Sequence, residues 1–92
     1  MIKSIRHKGL QKFFETGNTS GIQSKHTEIL ENKLAALDTA ESIEDMNIPG
    51  YRLHPLKGKL KGRWSIKVSG NWHLTCEFRD TNVYVLDYKD DH

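Results

Sequence analysis

The sequence has one cysteine, Cys76, among 92 residues. A single thiol cannot close an intramolecular disulfide, so the chain must fold on its apolar core, and such low cysteine content is typical of a reducing compartment. No apolar run approaches the roughly 20 residues of a membrane-spanning helix, and Met1 to Arg6 lack the apolar stretch of a signal peptide. The length excludes a multidomain enzyme. We expect a single domain over residues 1–92, located in the cytoplasm and without membrane contacts.

Motifs of several common enzyme classes are also missing. No glycine-rich phosphate loop precedes a helix, and no second cysteine accompanies Cys76 for a zinc site. Cys76 falls on the apolar side of a predicted strand, which favours a core residue over a nucleophile. His54, His73 and His92 are 19 residues apart, but such long regular spacing is not that of metal ligands. We therefore expect neither a metal nor a cofactor.

Positive charge is concentrated in one block of the chain. The 14 Lys and Arg nearly balance the 12 Asp and Glu, which leaves a net charge of +2. Residues 51–75 contain six basic and no acidic residues, whereas residues 1–50 and 76–92 are both net acidic. The six are Arg52, Lys57, Lys59, Lys61, Arg63 and Lys67. Such a block is typical of a surface that binds a polyanion such as RNA, although it also occurs on ordinary solvated surfaces.

Apolar spacing predicts a short strand and two helices in the first half of the chain. The strand is expected around Ile2–Ile5. The first helix carries a stripe formed by Leu10, Phe13 and Phe14, and Gly17 is suited to end it.

The second helix is expected to follow a capping box between Ser20 and Gln23. Its apolar stripe consists of Ile22, His26, Ile29, Leu30, Leu34 and Leu37. His26 lies at the edge of this stripe, where we expect a partly buried structural histidine rather than a ligand. Residues Ser42–Met46 predict a further helical turn before Pro49-Gly50.

Beyond Gly50 the apolar period changes from 3.6 to 2, which predicts strands. Two strands alternate apolar and polar residues over 63–69 and 72–79, and a third is expected at Val83–Tyr88 after a turn at 80–82. The predicted fold class is α+β, with two N-terminal helices packed on one face of a small antiparallel sheet. The opposite face is expected to be polar and open, with Arg63, Lys67 and His73 on it and the loop 54–62 beside it.

Side-chain parity predicts the register of the central hairpin. A two-residue Gly70-Asn71 loop would place Ser69 opposite Trp72, which sets polar residues against apolar ones. A three-residue loop, 69–71, avoids this mismatch, with positive φ at one of its last two positions. The predicted pairs are Val68 with Trp72, Ile66 with Leu74, Trp64 with Cys76, Lys67 with His73, and Arg63 with Glu77.

Three of the polar side chains suit RNA cleavage without a metal. That reaction needs a base for the 2′-hydroxyl proton, cations beside the phosphate and an acid for the departing 5′-oxygen. His54, Lys57 and His92 are candidates, because histidines titrate near neutral pH and lysine carries a fixed charge.

Several segments together are more specific than any of these patterns. They are Met1 to Leu10, Thr19 to Ile22, the run Leu53-His-Pro-Leu-Lys-Gly58, Trp64 to Ile66, Asn71-Trp72 and Asp87 to His92. With them the chain resembles HigB-type toxins of the RelE/ParE superfamily over essentially its whole length. The resemblance implies a RelE-like fold with a curved sheet and an mRNA interferase, a toxin that cuts mRNA in the ribosomal decoding site beside rRNA and so inhibits translation. It also implies a HigA-type helix-turn-helix antitoxin, with operator DNA bound only through the toxin–antitoxin complex.

The resemblance also implies which residues act in the site. His54, Lys57, Asp90 and His92 match functional residues of the family. His73 stands where the family has an arginine that supplies a permanent planar cation, and Asp91 stands where it has a tyrosine that offers a face for base stacking. Cys76 replaces a usual aromatic. These departures predict weaker cleavage or a shifted substrate. Contacts to RNA are expected from Arg52, Lys59, Lys61, Arg63, Lys67 and Asp91.

Three functions remain open at this level. The first is a ribosome-dependent endonuclease of reduced strength, with His54 or Asp90 as base, His92 as acid or base, and Lys57 stabilising the transition-state charge. The second is a catalytically silent relative that acts as an antitoxin-binding module and operon co-repressor. The third is a gyrase-directed toxin of the ParE branch, which the motif from His54 to Lys57 does not support.

Overall fold

The computed structural model describes residues 1–60 and 62–90, and shows the α+β architecture that the sequence predicts. The helices are α1 (Lys8–Thr16) and α2 (Thr27–Thr39). The strands are β1 (His54–Pro55), β2 (Arg63–Ser69), β3 (Trp72–Arg79) and β4 (Asn82–Asp90), and they form one curved antiparallel sheet in that order. Short 3₁₀ helices span Ser24–His26, Ile43–Met46 and Gly58–Leu60. Within the described ranges, no helix has the length and apolar composition needed to cross a membrane.

Helix α1 ends at Gly17 as its sequence predicts, and the structure shows how it begins. The His7 Nδ1 atom accepts a hydrogen bond of 3.0 Å from the backbone N–H of Leu10, which satisfies a donor of the first turn. Gly17 ends the helix in the left-handed conformation (φ 80°), and its N–H donates to the Phe13 carbonyl. Leu10 and Phe13 are buried, whereas Phe14 is 37% exposed, so the predicted stripe enters the core only in part.

The predicted capping box before α2 is wrong. Ser20 instead donates its N–H to the Asn18 side chain, and helical structure begins only at Ser24. The reason is that this segment crosses α1 in a turn, where the backbones of Gly9 and Gly21 touch. A Cβ atom on Gly9 would lie 2.2 Å from the Gly21 carbonyl oxygen.

After α2, the helical turn predicted near residue 42 is present. It is the 3₁₀ helix Ile43–Met46, which begins with a capping box between Ser42 and Asp45. Met46 lies in the core. This turn therefore closes the helical layer before the chain enters the sheet.

The N-terminal segment lies beside β4 in parallel, but as two isolated bridges rather than the predicted strand. Ile2 pairs with Val83 and Ile5 with Leu86. Between them β4 bulges at Val85, a β-branched residue at φ 46°. The Val85 N–H donates to the Ser4 hydroxyl at 2.8 Å, so a side chain replaces the missing ladder bond.

The hairpin of β2 and β3 confirms the predicted register over residues 63–67, but the predicted loop is wrong. Ser69 lies opposite Trp72 across a two-residue Gly70-Asn71 turn, with Gly70 at φ 56°. A bulge between Lys67 and Ser69 adds one residue to β2. Because Val68 is an extra residue in β2, Ser69 can lie opposite Trp72 while the pairs before the bulge keep apolar residues opposite apolar ones.

One side chain and one backbone carbonyl from outside the hairpin satisfy the backbone at this bulge. Lys33 of α2 is buried, donates its ammonium to the Lys67 carbonyl and lies 4.5 Å from the centroid of the Tyr51 ring. The Lys67 N–H donates to the Tyr51 carbonyl at 2.7 Å. Burial, together with the charge of Lys67, lowers the pKa of Lys33. A lysine of the helical layer thus stabilises the edge of the polar face.

Two further features of the sheet differ from expectation. The loop predicted to start at residue 54 contains strand β1, with His54 opposite Ser65 and Pro55 opposite Trp64. The polar face is also less open than predicted, because Ser65 and Thr75 at its centre are buried. Cys76 is buried in the core as predicted, and burial raises the pKa of its thiol to about 11. Such a thiol is protonated near neutral pH and unsuited to act as a nucleophile.

Candidate active site

A depression of about 490 Å³ lies on the polar face where β1, β2 and the start of β3 meet the hairpin turn. Its lining residues are Arg52, Leu53, His54, Lys67, Gly70, Asn71 and His73. It therefore brings together four residues singled out in the sequence, namely Arg52, His54, Lys67 and His73. Within residues 1–60 and 62–90, no three His, Cys, Asp or Glu side chains are grouped to hold a metal ion.

Both histidines of the depression are held by the same local contact. His54 Nδ1 lies 2.9 Å from the Arg52 carbonyl oxygen, and His73 Nδ1 lies 2.9 Å from the Asn71 carbonyl oxygen. A carbonyl oxygen can only accept, so Nδ1 carries the proton and donates in each ring. The neutral imidazole then keeps an unprotonated Nε2, which is the form that a general base requires.

Backbone strain accompanies the anchoring of His54. Arg52 has φ 52°, in the left-handed region that residues other than glycine seldom adopt. This conformation costs about 1–2 kcal/mol. Its carbonyl is the one that orients the His54 ring, so the strain lies at the site itself.

One cation of this face, Lys89, was not predicted from the sequence. In the sheet His73 lies between Lys67 of β2 and Lys89 of β4, which are its partners on the two sides. Lys89 lies 4.0 Å from the Asp87 carboxylate and is 41% exposed. The alternation of β4 could have revealed it, but only with the β3–β4 register known. The position that carries His73 instead of a permanent cation therefore has a lysine on either side.

Lys57 lies in a second hollow, of about 370 Å³, which is lined by Pro55 of β1, whereas His54 of β1 lines the first. The residues that line it are Pro55, Leu56, Lys57, Gly58, Gly62, Arg63 and Trp64. Lys59 is exposed nearby in the 3₁₀ helix Gly58–Leu60. The structure thus places Lys57 in a different hollow from His54, although the two residues are only three positions apart in the motif.

Arg63 was predicted to contact RNA, and the structure shows a different contact. Its Nη2 donates to the Val85 carbonyl at 2.9 Å. Its Nε atom is buried without a hydrogen-bond partner among the described residues. The guanidinium therefore stabilises the bulge of β4, and fewer of its N–H donors remain for a phosphate.

Asp90 lies at the end of β4, opposite Trp72. By strand alternation it shares the side of Tyr88, which faces the core, whereas Lys89 shares the side of His73. Asp90 is exposed at the same end of the sheet as the depression, but not on its face. The predicted site residues Lys61, Asp91 and His92 lie outside the described residues.

A cluster of rings lies beneath the strand ends that carry His73 and Asp90. The Tyr88 ring stacks on Trp72 with centroids 4.5 Å apart, and it forms a T-shaped contact with His7 at 5.3 Å between centroids. His26 is 1% exposed, and a hydrogen bond of 2.5 Å joins its Nδ1 to the Tyr88 hydroxyl. His26 is thus a structural histidine, as predicted, but it is fully buried.

The burial of His26 predicts acid destabilisation. Burial, assisted by the charge of Lys25, lowers the pKa of His26 from the ordinary value of 6.5. The unfolded chain therefore takes up a proton near pH 6.5 that the folded chain resists. The stability from this group is complete above pH 6.5 and falls with decreasing pH, by at most about 1.4 kcal/mol per pH unit.

Urea denaturation at pH 7.5, 6.5 and 5.5 measures this effect against His26→Asn, which keeps a polar group but does not titrate. We expect the wild-type free energy of unfolding to fall more steeply than that of the variant below pH 6.5. Parallel profiles would show that His26 is not the group that resists protonation.

A cationic depression with two anchored imidazoles, on an α+β fold of this size, defines a small protein suited to RNA phosphodiester chemistry. The family model for HigB-like toxins, described as RelE-like toxins of the type II toxin–antitoxin system HigB, matches residues 3–92. The chain belongs to this family. A toxin of a type II system has an antitoxin as its partner.

Two curated relatives align over the full chain. Endoribonuclease HigB of Proteus vulgaris is 46% identical over 92 residues, which is all of both chains. Toxin HigB-1 of Vibrio cholerae serotype O1 is 34% identical over 94 residues, covering all of this chain and 98% of the relative. These matches confirm the family resemblance that the sequence motifs predict.

Proposed function

We propose that this toxin is a ribosome-dependent mRNA endonuclease that cuts RNA without a metal and thereby inhibits translation. The observation that carries the proposal is the pair His54 and His73, each with Nδ1 bonded to a backbone carbonyl, in one depression beside Lys67. The endoribonuclease name of the Proteus vulgaris relative supports the same activity here.

The reaction is transfer of the phosphate to the neighbouring 2′-oxygen. His54 Nε2 takes the 2′-hydroxyl proton as the 2′-oxygen attacks phosphorus, and the bond from phosphorus to the 5′-oxygen breaks. His92 donates a proton to the departing 5′-oxygen, which leaves a 2′,3′-cyclic phosphate and a 5′-hydroxyl. Asp90 is the alternative base for the 2′-hydroxyl proton. In that case too, His92 donates the proton to the departing 5′-oxygen. Lys57 stabilises charge on the phosphate oxygens as it develops.

The cations around the site have a second task, which is to hold RNA. Arg52, Lys59, Lys61 and Lys67 contact phosphates in this proposal, with Lys89 beside His73. Asp91, in place of a tyrosine, opposes phosphate instead of stacking on a base. His54 and Arg52 are exposed on an open depression, so the site does not enclose a substrate by itself. This openness favours a substrate that the ribosomal decoding site and its rRNA hold in place.

The antitoxin in this proposal is a HigA-type helix-turn-helix protein, and operator DNA is bound only through the complex of the two. The site of action is the cytoplasm, where mRNA is translated. Neither the cleavage nor the partner requires a cofactor.

Mapping mRNA 5′ ends after induced expression tests the proposal. We expect new ends inside translated regions, and purified protein should cut mRNA on programmed ribosomes but leave free mRNA intact. Cleavage of free mRNA would contradict ribosome dependence. Antitoxin binding without cleavage would favour the silent co-repressor, and altered DNA supercoiling with gyrase would favour the ParE branch.

His73→Arg is expected to strengthen the site. Arginine supplies a permanent planar charge between Lys67 and Lys89, and it has more N–H donors for a phosphate than histidine has. We expect kcat/KM on programmed ribosomes to rise about threefold to tenfold. The slope of log kcat/KM against log salt should become steeper by roughly 0.7, the value of one added contact to a single strand. An unchanged slope would show that this side chain does not contact a phosphate.

A further inference from the structure

His26 is an unusual side chain for the position that it occupies. It ends the 3₁₀ helix Ser24–His26 just before α2 and is 1% exposed, and its Nε2 has no hydrogen-bond partner among the described residues. Burying a polar ring with one nitrogen unsatisfied opposes folding, whereas an apolar side chain would fill the same space without that cost. The ring of His26 is hydrogen-bonded through Nδ1 to the Tyr88 hydroxyl.

That contact joins the helical layer to the two strand ends at the site. Tyr88 lies opposite Leu74 in the sheet, and the next pair on its side is Asp90 opposite Trp72. The rings of Tyr88 and Trp72 stack, and the His26 ring forms T-shaped contacts with both, with centroids 6.0 and 5.7 Å away. The cluster therefore includes Trp72 of β3, immediately before His73, and Tyr88 of β4, two residues before Asp90.

The spacing along the strands determines how a shift here would reach the site. Asp90 is two residues beyond Tyr88, roughly 7 Å along an extended chain, and His73 directly follows Trp72. The charge of Asp90 contributes to raising the pKa of Tyr88, after the larger effect of burial and against a hydrogen bond from the Gln23 backbone.

We propose that His26 is a positioning residue of the endonuclease site, which, through the Tyr88 hydroxyl, fixes the strand ends that carry His73 and Asp90. The inference rests on the proposed function. His26 touches no substrate in this role. It acts through Tyr88 and Trp72, and a small displacement of reacting groups is enough to slow catalysis strongly.

Four variants and one control test the proposal by cleavage on programmed ribosomes. Tyr88→Phe keeps the stacked ring and removes the hydroxyl, and His26→Leu removes the ring nitrogens. We expect each to lower kcat about tenfold with KM within twofold of wild type. The double variant should be no slower than Tyr88→Phe alone, because Tyr88→Phe already removes the hydrogen bond that His26→Leu removes. His26→Asn, whose amide has a donor and an acceptor near the position of Nδ1, should return kcat to within threefold.

Phe13→Leu is the control for a general loss of stability, since this residue is buried in α1 away from the cluster. It should lower the melting temperature and leave kcat unchanged at a temperature where the protein stays folded. If Tyr88→Phe and His26→Leu behave like Phe13→Leu, the hydrogen bond stabilises the fold alone and the proposal is wrong.

A spectroscopic readout separates failure of this proposal from failure of the proposed function. In ¹H–¹⁵N spectra, Tyr88→Phe and His26→Leu should shift the backbone amides of His73 and Asp90, while those of α1 stay in place. Unchanged amides at both residues would overturn the positioning role. A wild-type protein that cuts no mRNA would refute the endonuclease, and the amide shifts would then decide the positioning role alone.

Discussion

His54→Ala is expected to lower kcat for mRNA cleavage on programmed ribosomes by about 100-fold to 10,000-fold, the usual contribution of a general base. The reason lies in the bond from its Nδ1 to the Arg52 carbonyl, which leaves Nε2 as the proton acceptor of the ring. KM should change less than threefold, because one exposed imidazole contributes little to binding a whole ribosome. Growth arrest on induction should be lost in parallel.

The companion variant Lys57→Ala removes a charge from the second hollow and should lower kcat about 100-fold. Lys12→Ala is the matched control, because it removes one exposed lysine from α1, in the helical layer. It should retain wild-type cleavage. If His54→Ala also retains it, His54 is not the base, and Asp90 becomes the residue to test.

Part of the candidate site could be predicted from the sequence, because His54 and Lys57 are three positions apart in one motif and the basic block is a matter of counting. Which cations of that block have another hydrogen-bond partner in the fold could not be predicted. Arg63 belongs to the same charge pattern as Lys67, yet its guanidinium donates to the Val85 carbonyl, 22 residues further along the chain. The charge pattern shows where cations occur along the chain. It does not show that the bulge of β4 accepts a hydrogen bond from Arg63, which leaves that side chain less available for a ligand.

The hairpin of β2 and β3 shows where parity arguments succeed and where they end. Alternation predicted the pairing over residues 63–67, since a slip by one residue would have turned the apolar set towards solvent. It could not predict the bulge beside the turn. That bulge depends on Lys33 and Tyr51, which hydrogen-bond the backbone of Lys67 from outside the hairpin. Strand β1, with two residues, is too short to show alternation at all.

His26 illustrates the same limit in the helical layer. Its spacing with Leu30 and Leu34 predicted a position at the edge of the buried stripe, and it is more deeply buried than that. The difference arises because Tyr88, 62 residues away in sequence, supplies a hydrogen-bond partner inside the core. A periodic pattern describes one helix, whereas the partner that makes a polar side chain tolerable in the core comes from another element.

Gly9→Ala is expected to destabilise the fold by at least about 3 kcal/mol, although helix propensity alone predicts the opposite. Alanine is favoured over glycine inside a helix by about 1 kcal/mol. Here the added Cβ would lie 2.2 Å from the Gly21 carbonyl oxygen and 2.7 Å from the Gly21 Cα. Backbone atoms cannot turn aside as a flexible side chain can, so the turn would have to lift from α1. The clash therefore outweighs the gain in propensity.

The comparison variant is Gly17→Ala, the same substitution at the end of the same helix. Gly17 has φ 80° with open space around its Cα, so alanine there costs only the strain of the left-handed conformation, about 1 kcal/mol. Thermal unfolding should show Gly17→Ala about 4–8 °C below wild type and Gly9→Ala at least about 12 °C below it. Equal melting temperatures for the two variants would mean that the turn over α1 moves away at little cost, and that the contact of Gly9 with Gly21 does not hold the helical layer together.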